Sequence, residues 1–245
     1  MASSGVELLH PSNFGNIIIA NLIGVNKAGT AALGNGELGV LIANGADYND
    51  VGGPSGGNVV SGNRLGGVVI GTPEFQTPCT RIYVESNLVG TDATGLHIIG
   101  QQTSGITSQT GSETIMHRNV IGGHKNHGVV LSSVGRPHPG DGVFGNWLGK
   151  AASSAAVTFG RIKGPNQGVH LLGASSTTNG TALPNQGFGV YVLRSFGNYI
   201  QIPVGTENPA ALYLRNIFGS NVLGNAGFNG CTGGCTAGAD NTFCP

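Results

Sequence analysis

The histidines of this chain crowd into one stretch. "MHRNVIGGHKNH" holds His117, Arg118, His124, Lys125 and His127 within a dozen residues. Imidazoles beside cations suggest either metal ligation or proton transfer. The stretch itself holds no Cys or carboxylate to complete a ligand set, so no metal is expected. Proton transfer needs a carboxylate partner. Asn87 and Asn119 each open an Asn-x-apolar-Gly motif, NLVG and NVIG, and two residues before them stand Glu85 and His117. If the two motifs occupy equivalent places on neighbouring layers, Glu85 and His117 become outward-facing neighbours about 5 Å apart. With Arg118 they form the candidate catalytic group, set against a plain solvated charged face. "GNGELG" at Gly34 matches a dinucleotide fingerprint in letters only. The fingerprint needs a strand before and a helix after, whereas an apolar strand-like run, "GVLI", follows here. No cofactor is expected.

The elements that must position these groups are written as a repeat. Asn-x-apolar-Gly occurs at Asn21, Asn49, Asn63, Asn87, Asn119, Asn146 and Asn221. A second pattern, Gly-apolar-x-apolar, begins at Gly5, Gly39, Gly67, Gly95, Gly128, Gly168 and Gly189, with a weaker copy at Ala211. Self-similarity at about 20–45 residues marks a solenoid. Between Gly39 and Gly67 three short runs, "GVLIA", "YNDVG" and "NVVSGN", read as strands bounded by Gly, Asn, Pro or Ser. Three short strands per turn, stacked at about 4.8 Å, bury a continuous core that no single coil can bury alone. Asn at equivalent corners can pass hydrogen bonds from coil to coil through its amide. "NLIGVNKAG" and "NLVGTDATG" then read as one corner and loop, two coils apart.

The composition agrees. The chain has 245 residues, of which 45 are Gly and 23 Asn, and only 9% are charged. Gly and Asn both tolerate the left-handed backbone that tight corners need. Gly does not recur at every third position, which excludes collagen, and the apolar residues are grouped in runs, which argues against disorder. Eleven basic and eleven acidic side chains cancel. A nucleic-acid or anionic-membrane partner needs a positive field and is not expected. No run of 18 apolar residues exists to span a bilayer, and "MASSGVELL" lacks the basic start and apolar stretch of a signal peptide.

The repeat resembles the right-handed parallel β-helix proteins of the pectate-lyase-like superfamily, in particular the Asn/Gly-rich arrays of large secreted and surface proteins. The resemblance covers about residues 5–225. It implies an all-β, right-handed, single-stranded parallel β-helix of about 8 coils over residues 1–228, followed by a Cys-containing tail at 229–245. Superfamily members that cleave acidic sugars use Arg or Lys to neutralise the carboxylate and a base to take the C5 proton, and Arg118, Lys125, Arg136 and Arg161 lie in the corresponding part of this chain. The Arg-Pro-x-x-Arg pattern of the pectate lyases, the Asp pairs of the polygalacturonases and the pectin-methylesterase motifs are all absent. The expectation is an extracellular structural, adhesive or carbohydrate-binding module, secreted or on the cell surface. The alternative is a polysaccharide-active enzyme, a uronate polysaccharide lyase.

Three further expectations follow. The third residue of each Gly-apolar-x-apolar rung points outward, which puts Leu41, Val69, His97, Val130, His170 and Tyr191 in one column. Either loops cover that column, or it binds a polysaccharide or another protein chain, with His97, His170 and Tyr191 as binding residues. The chain enters directly on a rung, so its first edge is a candidate for self-association, or is covered by more of the same protein. Cys231, Cys235 and Cys244 suggest one local disulfide in the tail rather than a zinc site, since CxxxC has no nearby His or second pair, with Cys79 free.

Overall fold

A computed structural model describes residues 3–75, 77–100, 102–132, 142–144, 146–148, 188–193, 199–201, 210–215, 221–224 and 241–243. Every named strand pair in it is parallel, and the strands build a parallel β-helix of several coils. The first sheet stacks Val6–Leu8, Leu38–Ile42, Gly66–Ile70, Ser104–Ser108, Val129–Ser132, Phe188–Leu193 and Ala210–Arg215. The second stacks Ile17–Ile18, Asp50–Gly52, Tyr83–Glu85, Ile115–His117, Gly142–Phe144, Tyr199–Gln201, Asn221–Gly224 and Asn241–Phe243. The third stacks Leu22–Ile23, Val59–Val60, Leu88–Val89, Val120–Ile121 and Trp147–Leu148. Asn241–Phe243, in the segment read as a tail, thus adds a strand to the second sheet.

The core is the inward side of these three sheets. Val40, Ile42, Val51, Val60, Val68, Ile70, Val84, Val89, Ile106, Met116 and Ile121 form one buried cluster. Strand alternation brings them inside, and coil stacking places each on its counterpart in the next layer.

The corners are held by side-chain amides. Asn21, Asn58, Asn87, Asn119 and Asn146 run up one corner, and each Nδ2 donates to the Oδ1 of the next at 2.9–3.1 Å. The same Oδ1 accepts the backbone N–H of the Asn below it. The remaining Nδ2 proton of Asn58, Asn87, Asn119 and Asn146 goes to a carbonyl of the coil below: Ile18, Val51, Val84 and Met116. In Asn58, Asn87 and Asn119 both donors and both lone pairs are used, as a buried amide requires. An orphaned member would cost about 1–3 kcal/mol.

The motif does not mark a single corner. Asn49 belongs with Asn16 at the start of the second sheet. Asn63 belongs with Asn35 and Gln102 before the first sheet. Asn58 lies in the main file without the motif's Gly, because Ser61 follows Val60 there. Three corners need the same amide, so one local pattern serves all of them.

The first sheet also revises the outward column. Its register reads Glu7, Leu41, Val69, Thr107, Val130, Tyr191 and Tyr213. Thr107, not His97, follows Val69. Gly95 is a turn glycine at φ +71° in a loop rather than the start of a rung. The rung at that level begins at Gly105, with Ser108 where the pattern asks for an apolar residue. His170 lies outside the described residues, and Val129–Ser132 pairs directly with Phe188–Leu193. Leu41 and Val69 are covered rather than open, since Leu9, Leu38 and Phe75 pack against them.

Candidate functional site

The second sheet brings Glu85 and His117 together. Their strands pair in register, with Glu85 opposite His117 and Val84 opposite Met116. Val84 and Met116 fill the core, so Glu85 and His117 project from the outer side. His117 Nε2 lies 3.1 Å from Glu85 Oε2. Arg118 Nη1 donates to Glu85 Oε1 at 3.4 Å. Arg118 reaches back because its backbone is left-handed, φ +57°, at the corner that follows the strand. The predicted trio is therefore one cluster.

The pair faces outward but is not open. The side chains of Glu85 and His117 are 9% and 16% exposed. Burial pushes the His117 imidazole below its ordinary value; Glu85 pulls it up and Arg118 reinforces the fall. A neutral imidazole with Nε2–H directed at Glu85 leaves Nδ1 as its basic nitrogen, and Nδ1 is buried. Asp50, on the coil below, has its carboxyl raised by burial and by the charge of Glu85.

Beside this cluster lies a group that sequence reasoning missed. Tyr48, Arg81 and Glu113 occupy one corner on successive coils, all left-handed at φ +55° to +57°. Arg81 Nε donates to Glu113 Oε2 at 2.9 Å, and Arg81 Nη1 donates to the Tyr48 hydroxyl at 2.7 Å. The guanidinium also sits 5.1 Å from the centroid of the Tyr48 ring. Phe14 packs on Tyr48 with centroids 4.8 Å apart. Tyr83, exposed on the adjoining strand, is close enough to act on the Arg81 charge. A left-handed corner held by Tyr, Arg or Glu has no sequence signature, because Gly is the residue expected there.

The other candidates disperse. His97 sits in the loop after the third sheet, with Nδ1 2.9 Å from Asp92 Oδ2. Burial works to raise the Asp92 carboxyl, but Thr94, His97 and the N–H groups of Leu96 and His97 together hold it down to about 2. This is a loop-closing carboxylate, remote from the column proposed for His97. Lys125 is exposed, whereas His124 is fully buried. Tyr191 keeps its place after Val130 in the first sheet. Arg136, Arg161 and the tail cysteines lie outside the described residues. Cys79 is a buried free thiol, pushed up to about 11 by burial. Among the described residues no group of three or more His, Cys, Asp or Glu is placed to hold a metal, and no helix is long and apolar enough to cross a membrane. Comparison with protein-family models, curated proteins and solved structures gave no match, so the functional reading rests on the geometry described above.

Proposed function

We propose that this chain is an extracellular structural or adhesive module of the pectate-lyase-like type that binds polysaccharide on its outer face without cleaving it. The observation that carries this reading is the patch on the second sheet: exposed Tyr48 and Tyr83 flank Arg81, with Asp50 on the same face. Aromatic faces take the apolar side of a sugar ring, and charged groups at their rim take its hydroxyls. Both carboxylate oxygens of Glu85 are engaged and Nδ1 of His117 is buried, which supports binding without proton abstraction. Calorimetric titration with neutral and acidic polysaccharides tests the reading. Tyr83→Ala should weaken binding about 2- to 13-fold, from about 0.5–1.5 kcal/mol for an aromatic contact. No binding, or unaltered binding by the variant, would count against the patch.

The adjacency of Glu85, His117 and Arg118 favours a second reading, a uronate polysaccharide lyase in which Arg118 meets the sugar carboxylate and the Glu85–His117 pair takes the proton. Ultraviolet absorbance from unsaturated uronate ends, abolished by Glu85→Gln and by His117→Ala, would replace the binding reading with this one.

A further inference from the structure

The corner beside the second sheet carries a trio that the face of the sheet repeats in part. At the corner, the Arg81 guanidinium stands between an aromatic ring and a carboxylate. It lies 5.1 Å from the Tyr48 ring centroid and donates to Glu113 Oε2 at 2.9 Å. On the face, Tyr83 stands opposite Asp50 in register, while Val51 and Val84 beside them fill the core. The Tyr83 ring and the Asp50 carboxylate are therefore outward neighbours on strands about 5 Å apart. Tyr83 is exposed and Asp50 half-buried. Ile17, the register partner of Asp50 on its other side, brings no charge. Among the described residues no cation pairs with Asp50.

The chain's own cations are committed elsewhere. Arg81 is held by Glu113 and Arg118 by Glu85. Asp47 accepts the Thr80 N–H at Oδ1, and no cation pairs with it among the described residues. The sheet face and its corners thus hold four carboxylates, Asp47, Asp50, Glu85 and Glu113, against the two guanidiniums of Arg81 and Arg118. Burial holds His117 below its ordinary value, so its ring adds no charge near neutral pH. Burial raises the Asp50 carboxyl, and the charge of Glu85 raises it further, as one anion does to another nearby. An acidic sugar would bring more charge of the same sign to this face, whereas a cation is drawn to it.

We propose that the patch takes an amino-sugar polysaccharide, whose protonated amines meet Asp50 while its ring faces stack on Tyr83. This rests on the reading of the patch as a polysaccharide site and adds the class of sugar. The corner trio shows the chemistry in the chain's own residues: a cation settles where an aromatic ring and a carboxylate stand together. At Tyr83 and Asp50 the ring and the carboxylate come from the chain and the cation from the ligand. A flat sugar ring covers a tyrosine face, whereas the thin stem of a lysine side chain does not, so the aromatic surface favours a sugar over a basic peptide. N-acetylation of the sugar removes the charge and with it the contact to Asp50.

Calorimetry of the full chain with glucosamine oligosaccharides, at a pH where their amines are protonated, tests the assignment. The comparison ligands are the N-acetylated oligomers of the same length, oligogalacturonates and a lysine oligopeptide. The free-amine oligomers should bind most tightly, and added salt should weaken them. Asp50→Asn should weaken them about 2- to 5-fold, as loss of a partly exposed ion pair does, and leave the N-acetylated oligomers unchanged. Tyr83→Ala should weaken both sugars. Equal or tighter binding of the N-acetylated or uronate oligomers overturns the amino-sugar assignment, and leaves the patch standing where Tyr83→Ala still weakens that binding. A lysine peptide that binds as tightly as the amino sugar overturns it as well, in favour of charge alone. Absence of binding by every sugar removes the patch and the assignment together. The ranking of ligands is read on the unmodified chain, so it decides the matter if Asp50→Asn does not fold.

Discussion

His124 stands where the third corner would carry an amide. Below it, Asn35, Asn63 and Gln102 pass hydrogen bonds upward. His124 continues their line beside the inward glycines: a Cβ on Gly67 would meet the Gln102 amide, and one on Gly105 would meet the His124 ring. Full burial pushes the His124 imidazole down to about 3, against a smaller upward effect of its hydrogen bond to the Val89 backbone. The ring is thus neutral in the fold but takes a proton near pH 6.5 in the unfolded chain. Stability from this residue is complete above pH 6.5 and falls as the pH drops toward 3, by up to about 1.4 kcal/mol per unit. His117 and His127, also lowered by burial, act in the same direction. In His124→Gln a polar group stays in the file and one titration is removed. Its urea midpoint should fall less between pH 7 and pH 4.5 than that of the parent; equal falls would mean that His124 is not held neutral. At this scale the sequence was informative about Glu85 and His117 because each stands two residues before an Asn of the same corner. It misplaced His97, because a turn glycine and a rung glycine are the same letter.

A rung begins with Gly for a steric reason. Gly5, Gly39, Gly67, Gly105 and Gly128 stack, and a Cβ on any of the first four would strike the carbonyl oxygen of the next. At Gly67 it would lie 2.6 Å from the Gly105 oxygen and from Val89 Cγ1. Gly67→Ala should therefore destabilise by about 1–3 kcal/mol, as overpacking does. Gly53 is the contrast. A Cβ there meets only Ile19 Cδ1, at 3.9 Å, and its φ is not in the left-handed range. Gly53→Ala should stabilise by about 0.4–1 kcal/mol through the unfolded chain. Denaturant melts of the two variants must move in opposite directions if the steric account is right. The same stack explains why most of these rungs were legible: at Gly5, Gly39, Gly67 and Gly105 a Cβ has no room. The rung at Gly105 escaped notice because Ser108 stands where the pattern expects an apolar residue, and it is nevertheless buried.

For the molecule as a whole, the likeness between "NLIGVNKAG" and "NLVGTDATG" proves to be a contact as well as a repeat. The loops that follow Asn21 and Asn87 close in the same way, through the antiparallel bridges Val25–Ala32 and Thr91–Ile98. They belong to the first and third coils, and the coil between them has no such loop. Gly62 of that coil lies against Ala32, and Gly100 approaches Gly62. The architecture was readable because every corner repeats the same few residues. The meeting of the loops was not, since it depends on what the middle coil omits. Across that gap the Ala93 N–H donates to the Gly29 carbonyl at 2.9 Å. The consequence is mechanical. Drawn apart along its axis, a stack of coils loads its hydrogen bonds end-on and should separate layer by layer. A strut from the first coil to the third runs alongside two of those junctions, so both must yield in the same event. In a single-molecule force trace the first three coils should release as one long step, and Ala93→Pro, which removes the bridging N–H, should split that step in two.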